Sequence, residues 1–347
     1  MAQNTAQNFS DIAAPQIAVL GGGAWGTALA AVLARNTPTP ITLWAREAET
    51  VAAINQTHEN TSFLPGITLP DSIIATDRLA DLTTADIILM VVPAQFARPI
   101  LAELATQLPP HVSLVLCAKG VERDSLKLMS DVASDYLSAD QISVLSGPSF
   151  AADVARGMPT AVTLAANDKA RGAWLCAHIA SSGFRPYLSG DIIGAEIGGA
   201  TKNVLAIACG IVAGKALGES ARAAVTARGF AEMQRLGTAL GAKRETLAGL
   251  SGLGDLILTC SSDTSRNFSL GRALGEGQTL ESVLGKRNSV SEGAMSAAAI
   301  SQLATRHNLD LPICAAVDAI LTGAQNIDAA IDGLLARPLT SEDAPIS

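Results

Sequence analysis

The stretch 17-IAVLGGGAWGTALAAVL-33 decides the fold of this chain. An apolar run enters a glycine turn, and an alanine-rich segment typical of a helix follows. Gly21, Gly23 and Gly26 have the G-x-G-x-x-G spacing, in which glycines permit a tight turn, close approach of a pyrophosphate and packing of helix on strand. A helix that begins here directs N–H groups and its positive dipole end at the phosphates. The stretch therefore predicts dinucleotide binding, with a plain strand–turn–helix as the alternative.

The composition predicts two domains with large apolar cores. The chain has 347 residues, of which 48% are apolar and 16% charged, so disorder is not expected. The formal net charge is −8, from 24 basic and 32 acidic residues, which argues against a nucleic-acid-binding surface. Any anionic ligand must therefore be held by basic groups placed at its own site.

Several sequence features bear on the cellular compartment and on metal binding. Five scattered cysteines without a C-x-x-C pair predict buried free thiols in a reducing environment. The four histidines lack metal-ligand spacing, so we expect no metal site. Residues 1–15 lack the features of a signal peptide and are predicted to form a flexible arm. Because no uninterrupted apolar run reaches about 18 residues, we expect no transmembrane segment and a soluble, cytoplasmic protein.

Strand and helix patterns alternate up to residue 190 and predict an α/β fold with a doubly wound (Rossmann) parallel sheet. Right-handed crossovers bring the carboxyl ends of parallel strands to one edge, where such sheets bind ligands. After the first strand, strands are predicted over residues 41–45, 86–92, 112–118, 142–145, 161–165 and 184–188. We expect one crevice at that edge, lined by Gly21–Gly26, Arg46, Pro93, Lys119 and Ser146–Ser149.

The pattern becomes helical after Gly190, and no convincing strand follows. Helices are predicted over residues 193–214, 220–240, 265–276, 295–306 and 314–322. We therefore predict four segments: a flexible arm (1–15), a dinucleotide-binding Rossmann domain (16–190), an all-helical substrate and catalytic domain (191–337) and a tail (338–347).

Arg46 bears on the choice of cofactor. It follows the second predicted strand, roughly 20 residues beyond the glycine turn, where NAD enzymes usually place an acid on the ribose. An arginine at this position suits a 2′-phosphate and favours NADP. The adjacent Glu47 keeps NAD possible, and a solvated ion pair at a strand end is the alternative interpretation.

Lys202 is the first candidate for chemistry, because it lies with Asn203 inside the apolar, small-residue stretch 196–214. Burying a lysine is costly unless it is paired or its pKa shifts, and a desolvated lysine suits proton transfer near neutral pH. Asp255, between a glycine turn and an apolar run, is a candidate partner for an ion pair. The alternatives are a lysine that reaches solvent and an aspartate that only caps a helix.

Other residues predict an anion site. Ser265 is a good N-cap for a helix that starts at Arg266, and a helix start with an arginine suits a phosphate. Lys119 directly follows a buried strand and is either a cation facing the crevice or a surface residue. In 146-SGPSFA-151 the Gly-Pro turn permits close approach of a ligand, and Ser149 offers a hydroxyl.

Together these motifs resemble the bacterial NAD(P)-dependent glycerol-3-phosphate dehydrogenases. The matching motifs run in family order from Gly21 to Glu292 and are GGGAWGTALA, VPAQ, CAKGVE, SGPSFA, ATKNVLAIACGI, GLSGLGDLILTC and SRNFSLG. The resemblance implies reversible, NAD(P)H-dependent reduction of dihydroxyacetone phosphate to sn-glycerol 3-phosphate, which supplies phospholipid synthesis.

The resemblance also implies roles for individual residues. Lys202 matches the catalytic lysine that exchanges a proton with the substrate oxygen, and Asp255 is expected to orient it. Implied substrate contacts are Lys119, Gly147, Ser149, Lys202, Asn203, Asp255, Thr259, Ser265, Arg266 and Asn267. Implied cofactor contacts are Gly21, Gly23, Ala24, Trp25, Gly26, Arg46, Lys119, Ala151, Arg266, Val290 and Glu292.

Two departures and two rival functions accompany the resemblance. Ala24 replaces a common serine, which removes one hydrogen bond to the cofactor phosphates, and GAMSA follows Glu292 where the family usually has GVxTA. The rivals are another two-domain dehydrogenase, of the β-hydroxy acid or ketopantoate type, and a non-catalytic NAD(P) sensor. The small-residue apolar helices lead us to expect a homodimer.

Overall fold

The computed structural model describes residues 9–285 and 292–338, which group into two units with separate apolar cores. The sheet unit contains residues 9–118 and 129–192, and the helical unit contains residues 119–128, 193–285 and 292–338. Residues 119–128, which the sequence places in the first domain, group with the helical unit. The reason is that Val121 and Leu128 are buried in the core of that unit.

Eight strands form one sheet in the sheet unit, in the order β3-β2-β1-β4-β5-β6-β7-β8. The strands are β1 Ile17–Leu20, β2 Ile41–Trp44, β3 Ile73–Thr76, β4 Ile87–Met90, β5 Ser113–Leu116, β6 Ile142–Ser146, β7 Thr160–Ala166 and β8 Phe184–Ser189. The predicted α/β class with a Rossmann sheet is confirmed. Strand β3, which follows a proline-containing loop, was missed because Ser72 and Thr76 leave only the three apolar residues 73–75 in a row.

The sheet is mostly, not entirely, parallel. Strands β1 to β6 pair in parallel, so the glycine turn after β1, Arg46 after β2 and Gly147 after β6 lie at the same edge of the sheet. Strand β7 is antiparallel to β6, and β8 follows β7 in parallel. The prediction that every strand ends at one edge was therefore wrong for β7 and β8, because apolar patterning does not encode strand direction.

Six helices cover this sheet: α1 Ala24–Ala34, α2 Ala48–Thr57, α3 Ala97–Leu104, α4 Met129–Ser134, α5 Ala151–Ala155 and α6 Lys169–Ile179. Strands β1, β4 and β5 are buried along their whole length, as expected for central parallel strands with helices on both faces. Helix α1 presents small residues to them: Ala28, Ala30 and Ala31 are fully buried. The small side chains let the helix that starts at the glycine turn lie close to the sheet.

The helical unit is built around one long helix, α7. Its helices are α7 Ile192–Gly214, α8 Glu219–Ala239, α9 Arg244–Leu247, α10 Asp255–Cys260, α11 Arg266–Gly275, α12 Leu280–Gly285, α13 Glu292–Arg306, α14 Pro312–Leu321 and α15 Ile327–Leu335. A π-helical turn over Leu250–Gly254 leads into α10. Helix α15 was not predicted from the sequence.

Helix α7 is a core helix. Among the described helices it alone is long and apolar enough to cross a membrane, but 89% of that stretch is buried inside the protein. It also carries Glu196 and Lys202, both buried. An apolar helix that buries its ionisable residues within a protein core has the pattern of a central helix in a globular fold.

Glycines bring α7 and α11 into backbone contact. A Cβ atom on Gly271 would lie 2.0 Å from the carbonyl oxygen of Ile207, and one on Gly210 would lie 2.0 Å from that of Phe268. These distances are far below any possible contact, so only glycine fits. The close approach fixes the start of α11, where Arg266 is the first residue, relative to the middle of α7.

Candidate active site

Lys202 is buried in the middle of α7 and is fully engaged with α10. Only 7% of the residue is exposed. Its Nζ atom donates to Oδ1 of Asp255 over 2.6 Å and to the hydroxyl of Thr259 over 3.0 Å. Thr259 in turn donates to the backbone carbonyl of Asp255 over 2.6 Å. The ion pair expected between Lys202 and Asp255 is therefore present.

Asp255 binds a second lysine with its other oxygen. Its Oδ2 atom accepts a hydrogen bond of 2.6 Å from Nζ of Lys119, and the carboxylate is completely buried. Asp255 is the first residue of α10, but its side chain is occupied by the two lysines instead of capping the helix. Two ammonium groups around one carboxylate leave an excess positive charge, which favours an anionic ligand.

The pKa values of both Lys202 and Asp255 are lowered in this cluster, for different reasons. Burial lowers the pKa of Lys202 to about 8; Asp255 opposes that shift, and Lys119 adds to it. Burial disfavours the ionised form of Asp255, but the ammonium groups of Lys119 and Lys202 hold its pKa below the usual value. A lysine with a pKa near neutrality can give and take a proton under physiological conditions.

An amide pair lies beside the lysine. Oδ1 of Asn203 accepts from Nδ2 of Asn267 over 2.9 Å, and Oδ1 of Asn267 accepts from the backbone N–H of Gly293 over 3.1 Å. Nδ2 of Asn203 is buried and has no hydrogen-bond partner within the described residues. Asn203 follows Lys202 in α7, and its amide is a buried donor that is available in this unit. Unpaired buried donors are rare and point to a ligand.

The start of α11 supplies an anion site in the same unit. Ser265 is the N-cap, as predicted, and its hydroxyl accepts from the N–H of Phe268 over 3.2 Å. Arg266 is exposed at the first helical position. Glu292, at the start of α13, lies within electrostatic reach of Arg266, Lys119 and Lys202, which oppose the rise that burial causes in its pKa. The guanidinium and both lysines therefore lie within electrostatic reach of one carboxylate.

The glycine turn of the sheet unit fits a dinucleotide pyrophosphate. A Cβ atom on Gly26 would lie 1.8 Å from the carbonyl oxygen of Gly21, whose φ of +136° also requires glycine. At Gly23, the N-cap of α1, a Cβ atom would meet nothing within 4 Å, and no side chain caps the helix. The indole Nε1 of Trp25 is buried without a hydrogen-bond partner. Open space and uncapped N–H groups at a helix start are what a phosphate requires.

Asn60 holds this turn in place and was missed from the sequence. Its Nδ2 atom donates to the carbonyl of Gly22 over 2.8 Å and to the hydroxyl of Thr27 over 2.7 Å. The side chain is completely buried. Asn60 lies 38 residues beyond Gly22 in a polar stretch, so no local pattern indicated the contact.

The remaining predicted residues lie at the same edge of the sheet unit, with one exception. Arg46 forms an ion pair with Glu47 just after β2. Ser149 donates to the carbonyl of Gly147 over 3.0 Å after β6, and Ala151 begins α5. Val290, the exception, lies outside the described residues. The predicted site residues thus form two groups: one in the sheet unit, and the other, with Lys119, Lys202 and Arg266, in the helical unit.

Comparison with known families matches both units. The model of the NAD-dependent glycerol-3-phosphate dehydrogenase N-terminus matches residues 16–172, and that of the C-terminus matches residues 191–332. Glycerol-3-phosphate dehydrogenases [NAD(P)+] from Parvibaculum lavamentivorans and Caulobacter vibrioides are each 57% identical over 327 residues, which covers 94% of this chain and 98% of each relative.

Solved structures agree in fold. The glycerol-3-phosphate dehydrogenase of Coxiella burnetii is 36% identical with a TM-score of 0.89, covering 93% of this chain and 99% of that one. A ketopantoate reductase from Ralstonia eutropha, 17% identical with a TM-score of 0.56 over 88% of this chain and 97% of that one, shares the fold alone. The resemblance seen in the sequence motifs is confirmed: the chain belongs to the NAD(P)-dependent glycerol-3-phosphate dehydrogenase family of oxidoreductases.

Proposed function

We propose that this chain reduces dihydroxyacetone phosphate to sn-glycerol 3-phosphate with NAD(P)H, and catalyses the reverse reaction, with Lys202 as the proton donor. The observation that carries the assignment is the buried cluster of Lys202, Asp255 and Lys119. A protein that only senses NAD(P) has no use for a desolvated lysine held between a carboxylate and a hydroxyl.

Lys202 handles the proton. When bound, the cofactor supplies the hydride that C2 of the substrate accepts. Nζ of Lys202 donates a proton to the carbonyl oxygen, which becomes the C2 hydroxyl, and takes it back in the oxidation. Asp255 and Thr259 hold the ammonium group in one orientation. We assign the buried, unpaired Nδ2 of Asn203 to the substrate as a further donor.

Arg266 and the start of α11 bind the substrate phosphate in this proposal. The positive end of the α11 dipole and the Arg266 guanidinium provide the charge, and Lys119 adds a second cation. The other proposed substrate contacts are Gly147, Ser149, Ser265 and Asn267. Without such groups an acidic chain would repel a phosphate monoester.

The glycine turn binds the cofactor. Gly21, Gly23 and Gly26 allow the pyrophosphate to approach the start of α1, and Arg46 receives the 2′-phosphate of NADP. Ala24 offers no hydroxyl to the phosphates, so backbone N–H groups carry more of this binding. The remaining proposed cofactor contacts are Trp25, Lys119, Ala151, Arg266, Val290 and Glu292.

We assign cofactor binding to residues 16–190 and substrate binding to residues 191–337, with NADP preferred over NAD. The proposed location is the cytoplasm, where the product supplies the backbone of phospholipids, and the proposed assembly is a homodimer.

Substitution of Lys202 tests the assignment. Lys202→Met keeps the apolar stem and removes the ammonium group, so kcat for dihydroxyacetone phosphate reduction should fall about 10²–10⁴-fold, the range for general acid catalysis. The Kd of NADPH, measured by fluorescence titration, should stay within about twofold, because the cofactor site of the proposal is built mainly in the sheet unit.

Lys169→Met, at an exposed lysine at the start of α6, serves as the control and should leave both quantities unchanged. Near-normal turnover of the Lys202 variant would refute the role of Lys202. A wild-type protein that binds NADPH but leaves its absorbance constant with dihydroxyacetone phosphate would favour a sensor or another dehydrogenase.

A further inference from the structure

The Arg46–Glu47 ion pair follows β2 and is asymmetric. Nε and Nη2 of Arg46 both donate to Oε1 of Glu47, over 3.0 and 2.7 Å. Oε2 of Glu47 accepts no hydrogen bond within the part of the chain that the structure describes. The Arg46 side chain is 74% exposed and that of Glu47 is 40% exposed. Two of the five guanidinium N–H groups are thus engaged by Glu47, and one carboxylate oxygen is available.

The backbone fixes the place of this pair relative to the glycine turn. The N–H of Gly21 donates to the carbonyl of Trp44 over 3.0 Å, and the indole of Trp44 donates to the carbonyl of Asp77 over 3.0 Å. Arg46 is two residues beyond Trp44. A ligand that places its pyrophosphate on the turn therefore places its adenosine ribose near Arg46 and Glu47.

Within the described residues, the Glu47 carboxylate forms no hydrogen bond other than those to Arg46. Glu47 is the N-cap residue of α2, yet its side chain makes no capping hydrogen bond. Its backbone carbonyl accepts from the N–H of Thr50 over 3.0 Å, which any residue would do. The side chain is therefore free to act on Arg46 and on a ligand.

We propose that Glu47 is a specificity-determining residue that keeps this enzyme able to use both cofactors. A 2′-phosphate on Arg46 must share the guanidinium with Glu47 and bind beside the carboxylate charge. A ribose 2′-hydroxyl, by contrast, has an acceptor in Oε2 of Glu47 and leaves the ion pair intact. Glu47 thus weakens the preference for NADP that Arg46 alone would create. The proposal rests on the cofactor placement given above.

The size of the effect follows from electrostatics. An exposed ion pair is cheap to open, so the loss of its hydrogen bonds contributes little. A unit charge about 6 Å from a dianionic phosphate changes affinity roughly tenfold in pure water and about threefold at physiological salt. The expected effect is therefore about 3- to 10-fold and decreases with salt.

Calorimetric titration of the whole, unliganded protein with two nucleotides measures this effect without turnover. The probes are adenosine 2′,5′-bisphosphate and AMP, which differ by the 2′-phosphate. In Glu47→Gln the ratio of the AMP Kd to the bisphosphate Kd should rise about 3- to 10-fold over wild type. The rise should become smaller as the salt concentration increases.

Three further variants isolate the cause. Glu49→Gln removes the same charge from the exposed face of the first turn of α2, and it should change the ratio less than twofold. Arg46→Met should reduce the ratio toward one. In the Arg46→Met/Glu47→Gln double variant the gain from Glu47→Gln should be similar to that in the single variant, because the carboxylate repels the 2′-phosphate whether or not the guanidinium is present.

Each contrary result identifies what failed. An unchanged ratio in Glu47→Gln, with the ratio reduced in Arg46→Met, would refute the role of Glu47 and leave the proposed function intact. An equal gain in Glu49→Gln would reduce the effect to general charge and would also refute the role. A wild-type protein that binds neither nucleotide would refute the cofactor placement itself.

Discussion

At the scale of single residues, the site depends on a buried charge: Lys202 lies in a helix whose other buried side chains are mostly apolar, so its ammonium group is desolvated. Isolated, its ammonium group would cost several kcal/mol in such a place. Asp255 offsets this cost, and Lys119 satisfies the second carboxylate oxygen. The result is a lysine that remains buried and whose pKa is lowered to about 8 by that burial.

The pKa of Lys202 predicts opposite pH profiles for the two directions. Reduction needs the protonated amine, so its kcat/KM should fall as the pH rises through about 8. Oxidation of sn-glycerol 3-phosphate needs the neutral amine and should rise through the same pH. Steady-state kinetics in both directions between pH 6 and about pH 10 check this.

Two variants should move that midpoint in opposite directions. Lys119→Met removes a positive charge that lowers the pKa of Lys202, so the midpoint should rise. Asp255→Asn removes the negative charge that raises it, so the midpoint should fall. Midpoints that stay in place in both variants would mean that another group titrates.

At the scale of elements, helix contacts that need particular residues position the site. Gly210 and Gly271 let the α7 and α11 backbones touch, which aligns Lys202 and Asn203 with the start of α11. Gly293 similarly lets α13 begin beside Asn203, because a Cβ atom there would lie 2.6 Å from its carbonyl oxygen. Close packing of backbones thus sets the geometry of side chains that do the chemistry.

Gly271→Ala should separate α7 from α11. Its methyl group would overlap the carbonyl oxygen of Ile207, and overpacking of this kind costs about 1–3 kcal/mol or more of unfolding free energy. This cost exceeds the roughly 1 kcal/mol that alanine gains over glycine inside a helix. Urea denaturation should show a lower midpoint, and the KM for dihydroxyacetone phosphate should rise.

Gly190→Ala is the control for this change, because a Cβ atom there would meet nothing within 4 Å. A Gly271→Ala variant as stable as Gly190→Ala would show that the helices can move apart without cost.

Glu232 connects two further helices through a buried carboxylate. From α8 it accepts hydrogen bonds from the N–H groups of Ile313 and Cys314, at the start of α14, over 2.6 and 3.0 Å. Burial raises its pKa, although these hydrogen bonds oppose the rise. Glu232→Ala leaves two buried donors unpaired and should lower the unfolding free energy by about 2–5 kcal/mol.

Glu232→Gln, which can still accept one of these bonds, should cost less than the alanine variant in urea denaturation. Glu245→Ala, at an exposed position of α9, should stay within about 0.5 kcal/mol of wild type. Equal stability of the Glu232 and Glu245 alanine variants would contradict the structural role of the carboxylate.

At the scale of the whole molecule, two units with separate cores divide the work in the proposed function. The sheet unit contains the glycine turn and Arg46, and the helical unit contains Lys202 and Arg266. Different ligands should therefore slow the hydrogen exchange of backbone amides in different units. NADPH alone should slow the exchange of the amides of residues 21–34 and 44–50, because a ligand stabilises the backbone that it binds.

Addition of sn-glycerol 3-phosphate to the protein with NADP⁺ should extend protection to residues 255–272 of the helical unit. In Lys202→Met the cofactor-dependent protection should persist. Protection of the helical unit alone by NADPH would contradict the division of roles.

The sequence by itself determined the fold class and the family, and it indicated the residues that we propose to be reactive. The turn at Gly21–Gly26, the out-of-place Lys202 and the N-cap Ser265 are local patterns of residue type and spacing, so they can be read along the chain. The pairing of Lys202 with Asp255 could also be predicted, because a buried cation requires an anion and few candidates lay in apolar surroundings.

Only the tertiary structure decided which distant residues meet. Strands β7 and β8 run opposite to the first six strands, and residues 119–128 belong to the helical unit. Asn60 contacts the glycine turn, and Glu232 contacts the start of α14. Strand direction and long-range hydrogen bonds depend on packing between elements far apart in the chain. Local periodicity records which face of an element is buried, but it does not record which element covers that face.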